Sequence, residues 1–181
     1  MRKVVAYEIV SLDGVAEAPD RFFGWDDVMD ANLSDVIESQ DAVVLGRRSY
    51  DEWSAFWPTS DIEPFASFIN GVTKYVATST PLDPVWSNAH VIDGELVEFV
   101  RQRKAESGGD IGVHASISVV RALLAAAVVD ELRLVVAPVV IGNGKTLLDG
   151  LPPLQLELIR STASPTGHLL LDYRVGGEKV S

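Results

Sequence analysis

Residues 43–50 read Val43-Val44-Leu45-Gly46-Arg47-Arg48-Ser49-Tyr50. An apolar run halts at a glycine, and two arginines and a serine follow where a helix would begin. The stretch predicts a buried strand turning into a helix, the repeating joint of an α/β domain. Its chemistry is also suggestive. A helix N-terminus offers free N–H groups and partial positive charge to an anion, and a guanidinium offers a planar fork to phosphate. The same string also reads as an ordinary strand-to-helix turn with its arginines in solvent.

On either side of this joint the pattern repeats. Strand-like segments fall at 2–11, 41–46, 72–77, 88–92, 110–114, 131–141, 154–162 and 167–175, with amphipathic helices expected at 26–39, 47–55, 61–70, 94–106 and 116–128. After Asp130 three strand-like segments follow one another with loops in place of helices. The expectation is therefore a mostly parallel central sheet that ends in antiparallel strands, between helical layers. No repeat and no linker divides residues 1–181, so one domain is expected. The longest connection, about residues 12–25, is where a functional loop is tolerated.

Composition narrows the function classes. The 181 residues are 47% hydrophobic and 23% charged, enough for a real core. A formal net charge of −11 repels polyphosphate backbones and anionic lipid surfaces, so neither nucleic acid nor membrane is an expected partner. The cluster Arg101, Arg103 and Lys104 reads as a solvated helix face. Cysteine is absent, and His90, His114 and His168 show no metal-ligand spacing, so no metal site is expected. The chain opens Met-Arg-Lys and runs into a strand, and no apolar run nears 18 residues; a cytoplasmic protein is expected.

Four further constellations carry chemistry. Val76-Ala77-Thr78-Ser79-Thr80-Pro81 ends a strand in hydroxyls, which suit phosphate or ribose and equally suit a turn. Gly112-Val113-His114-Ala115-Ser116-Ile117-Ser118 delivers mostly small residues into a helix start, where backbone N–H groups can approach a pyrophosphate; the bland reading is a core strand and its cap. In Trp25-Asp26-Asp27-Val28-Met29-Asp30 the first two aspartates suit helix capping, whereas Asp30 falls at the edge of the Leu33 and Ile37 stripe, at the mouth of a cleft. Ser11-Leu12-Asp13-Gly14 closes the first strand with a turn signal.

Taken together with Leu45-Gly46-Arg47-Arg48-Ser49-Tyr50, Asp130-Glu131-Leu132-Arg133-Leu134 and Pro138-Val139-Val140-Ile141-Gly142-Asn143-Gly144-Lys145, these segments resemble the dihydrofolate reductase-like superfamily. Within it they look like a stand-alone member of the bacterial bifunctional deaminase-reductase C-terminal (RibD C-terminal-like) family, related to riboflavin biosynthesis. The resemblance implies a three-layer α/β/α dihydrofolate reductase-like fold, a homodimer, and an oxidoreductase that uses NADPH on a small heterocyclic or sugar-linked substrate, akin to 5-amino-6-(5-phosphoribosylamino)uracil reductase. It implies that Gly46, Arg47 and Ser49 flank the cofactor phosphates, and that Arg47 or Arg48 with Thr78 and Ser79 selects the 2′-phosphate. Ala115, Ser116 and Ile117 fall at the pyrophosphate turn, Asp13 and Trp25 on the substrate side, and Asp30 at the catalytic carboxylate. One departure stands out: relatives usually carry glycine where this chain has Ala115, and Ile117 adds a branched side chain that would crowd the pyrophosphate. The alternatives are a non-catalytic nucleotide- or metabolite-binding member of the same fold, and a purely structural or dimerising protein.

Overall fold

The computed structural model describes residues 1–22 and 24–176. Eight strands form one sheet: β1 (Val4–Ser11), β2 (Gln40–Gly46), β3 (Thr73–Ala77), β4 (Ala89–Val91), β5 (Asp110–His114), β6 (Glu131–Ala137), β7 (Leu156–Ala163) and β8 (Leu169–Val175). Their order is β4-β3-β2-β5-β1-β6-β8-β7. The first six in that row are parallel, and β8 and β7 are antiparallel, as the loop-linked C-terminal pattern predicts. The helices are α1 (Asp27–Glu38), α2 (Arg47–Phe56), α3 (Phe65–Gly71), α4 (Leu96–Ala105) and α5 (Ile117–Ala125).

A parallel strand buried on both faces must send apolar side chains both ways. On β1, Val4, Ala6 and Val10 join a core with Val100 of α4 and Val119, Val120, Leu123 and Leu124 of α5. Val5 and Tyr7 point the opposite way, into a second core with Met29, Leu33, Val36 and Ile37 of α1 and Phe65 and Ile69 of α3. Strand β1 lies between β5 and β6. Its register is fixed on both sides, with Tyr7 opposite His114 and Arg133, and Glu8 opposite Leu134.

Two boundaries differ from the sequence expectation by four residues, and the others by three or fewer. The strand read over 131–141 ends at Ala137 because Pro138 has no N–H for the ladder, and the Ile141 and Gly142 N–H groups are claimed by the Asp13 carboxylate at 3.1 and 2.7 Å. The helix read over 61–70 begins at Phe65, after Pro64. Parallel pairing brings the carboxyl ends of β1, β2, β3, β5 and β6 to one edge, where α2 and α5 begin.

Candidate functional site

At that edge the ends of β2 and β5 are knitted together. The Gly46 N–H donates to Ser116 Oγ at 2.9 Å, and Ser116 Oγ lies 2.8 Å from Ser49 Oγ. The Ser49 hydroxyl in turn donates to the Ala115 carbonyl at 2.7 Å. Four residues read as cofactor contacts, Gly46, Ser49, Ala115 and Ser116, thus form one cluster between the N-termini of α2 and α5. Ala115 adopts φ 51°, the left-handed region that favours glycine. The backbone therefore keeps the turn that glycine would give, and alanine bears the strain. Ile117 does not enter this cluster; its side chain is half-buried against the α5 core.

Arg47 reaches the neighbouring strand end. Its guanidinium donates to Thr80 Oγ1 at 2.6 Å, to the Pro81 carbonyl at 2.8 Å and to Asp51 at 2.8 Å. Thr78 Oγ1 lies 3.1 Å from Thr80 Oγ1, so Arg47, Thr78 and Thr80 meet beyond β3; Thr80 belongs to the hydroxyl string noted in the sequence but stands here where Ser79 was expected. Ser79 makes no side-chain hydrogen bond there among the described residues. Arg48 points outward, to Glu52 at 2.9 Å and Glu17 at 3.4 Å, which ties α2 to the 12–25 connection.

On the other face of the sheet, α1 begins with Asp26 as its cap, accepting from Val28 and Met29 N–H. The Asp26 carboxyl is held well below the usual range, chiefly by the Thr166 hydroxyl at 2.6 Å. Asp30, one turn on, accepts from the Trp25 indole N–H. Beneath it lies Tyr7, 5% exposed, whose hydroxyl has no hydrogen-bond partner among the described residues. Burial first, then the Asp172 and Asp30 carboxylates, push the Tyr7 phenol pKa upward. Asp13 is not brought to this group. Its carboxylate joins Ser11 Oγ at 2.6 Å and the two N–H groups after β6, and it lines a cavity of about 430 Å3 with Val10, Leu134, Val136 and Leu147. Those bonds, Ser11 first, hold its pKa below the carboxylate norm.

Sequence reading missed Glu8. It is 4% exposed on β1 and accepts the Ser116 N–H at 3.2 Å, directly behind the knitted cluster. Burial pushes its pKa up to about 8, against the opposing pull of that N–H. A glutamate within an apolar central strand was the available signal, since charged side chains are almost never fully buried without a partner. Among the described residues no group of three or more His, Asp or Glu is placed to hold a metal ion, and no helix is long and apolar enough to cross a membrane.

Comparison with known proteins gives a consistent result. The family model of the RibD C-terminal domain matches residues 2–170. The Bacillus subtilis protein YyaP is 26% identical over 183 residues, covering 97% of this chain and 96% of its own length. A candidate riboflavin biosynthesis protein of Shewanella sp. PV-4 superposes with a TM-score of 0.78 at 18% identity, over 97% of this chain and 100% of that one. Dihydrofolate reductase of Enterococcus faecalis, solved with NADP(H), superposes with a TM-score of 0.66 at 16% identity over 97% of each chain. The fold is dihydrofolate reductase-like.

Proposed function

The chain belongs to the RibD C-terminal domain family, and from that premise we propose that it is an NADPH-dependent reductase of a small heterocyclic or sugar-linked substrate. The observation that carries this reading is the convergence of two helix N-termini on Gly46, Ser49, Ala115 and Ser116, with Arg47, Thr78 and Thr80 beside them. The first turns of α2 and α5, with their outward N–H groups and partial positive charge, suit the pyrophosphate, and the Arg47 fork with two hydroxyls suits a 2′-phosphate. When bound, the nicotinamide supplies a hydride to a C=N or C=O bond. Asp30 orients the substrate by accepting its hydrogen bonds, and the Trp25 indole N–H donates to that carboxylate and fixes its orientation.

The test is a fluorescence titration with NADPH and, separately, NADH. NADPH is expected to bind at micromolar concentration and more tightly than NADH. The double change Arg47→Ala and Arg48→Ala should weaken NADPH by roughly 10- to 100-fold, the worth of charge-assisted phosphate contacts. Asp30→Asn should leave this titration unchanged and lower turnover. Failure of the wild-type protein to bind either nucleotide overturns the reading. The strained Ala115 turn favours one alternative, a nucleotide-binding member without turnover; NADPH binding with no oxidation across a broad substrate panel would select it.

The same reading includes a homodimer. Leu134 and Val136 of β6 pair with Leu171 and Leu169 of β8, so these four side chains share one face of the sheet, and all are at least partly exposed. Leu169 is 43% exposed and Leu158 of β7 53%. An apolar sheet face of this kind suits a second copy. Sedimentation equilibrium is expected to give twice the chain mass; a monomer at tens of micromolar would remove the dimer.

A further inference from the structure

Glu8 lies buried directly behind the candidate cofactor cluster. Its carboxyl group is buried on the α5 face of the sheet, and its one hydrogen bond among the described residues is accepted from the N–H of Ser116, the residue that caps α5. An internal carboxylate therefore sits where an incoming phosphate would look for a donor. Two anions cannot share one helix N-terminus in a water-poor cleft without strong repulsion.

Among the described residues no other charge compensates it. Ser116 faces it from the α5 cap and is itself bonded to Ser49 of α2, and both are neutral. Leu134 faces it from β6, whose Arg133 is in register with Tyr7 and is bonded to Glu131. His114, at the end of β5, lies on the opposite face against Tyr7 and Phe65, and burial keeps it neutral by pushing its pKa down to about 3. Arg47 and Arg48 are turned to Asp51, Thr80, Glu52 and Glu17. Asp13 is spent on Ser11, Ile141 and Gly142.

We propose that Glu8 is a specificity-determining residue of the cofactor site: NADPH enters only when the Glu8 carboxyl group is uncharged, and its phosphate takes over the Ser116 N–H. The protonated carboxyl then turns from acceptor to donor and hydrogen-bonds the bound nucleotide. Binding above the Glu8 titration range accordingly takes up one proton per nucleotide. A carboxyl pKa near 8 puts this linkage in an accessible range. The inference rests on the reductase reading above and fails separately from it.

The experiment is NADPH titration between pH 7 and pH 9.5, a range in which the 2′-phosphate stays doubly ionised because its second pKa is about 6. Wild-type affinity is expected to fall about 30-fold across that range, as one linked proton with a pKa of about 8 requires. Glu8→Gln, which cannot ionise, should show a flat profile. Lys74 of β3 is also pushed by burial to about 8, but its ammonium is bonded to the Ile69 and Val72 carbonyls at the end of α3 and is unaltered by the variant. Calorimetry on the wild-type protein alone, in buffers of different ionisation enthalpy at pH 9, should count about one proton taken up, which keeps the test independent of any variant's folding. A flat wild-type profile, or an equal slope in wild type and Glu8→Gln, overturns the role of Glu8 and leaves NADPH binding intact. No binding at pH 7 instead overturns the reductase reading.

Discussion

Glu8→Gln is expected to be more stable than the wild-type protein by on the order of 3 kcal/mol at pH 7, and nearly equal to it near pH 4.5. Burial pushes the Glu8 carboxyl up to about 8 in the folded protein, against an ordinary value of 4.5. Between those two values the folded state holds a proton that the unfolded state has lost, so wild-type stability falls as pH rises through the window and stays low above it. Each unit of that interval is worth about 1.4 kcal/mol. Glutamine carries no such cost, and its carbonyl still accepts the Ser116 N–H. Urea unfolding of both proteins from pH 4.5 to pH 8 would show the gap opening; a constant gap would mean that Glu8 is not neutral in the folded state. Such a cost, borne in a central strand, is the kind that proteins tolerate at functional positions.

The second large effect is a loss. Gly112→Ala should destabilise the protein by about 3 kcal/mol, through overpacking combined with a broken buried hydrogen bond. A Cβ at Gly112 would overlap Gln40 Oε1 and lie 2.8 Å from His114 Nε2. Both side chains are buried, and they are bonded to each other at 2.8 Å. Gln40 cannot yield without stranding the imidazole among Tyr7, Phe65 and Phe68. A thermal melt unchanged within a degree would show that this side of the core can yield at no cost.

Much of the architecture was legible because hydrophobic period reports burial directly. The run Val43 to Leu45 and the stripe Met29, Leu33, Val36 and Ile37 occupy the cores their patterns demand. The strand read to 141 was overextended because periodicity cannot see that Asp13, remote in sequence, takes the Ile141 and Gly142 N–H groups. Within the candidate site, short spacings were readable: Asp30 and Trp25 are five residues apart and do meet. Glu8 and Tyr7 escaped notice because an apolar strand averages out its polar members. Their significance lies in what faces them from Ser116 and Asp30, each more than twenty residues away.

Adjacent residues of one strand thus serve opposite faces of the sheet, Tyr7 beneath Asp30 and Glu8 behind Ser116. A slip of β1 by a single residue would exchange them, setting a carboxylate under α1 and a phenol against the start of α5. Clamped by β5 on one flank and β6 on the other, the strand has no free edge along which to slide. Whatever chemistry the cleft performs, its polarity is kept by the backbone ladder of β1.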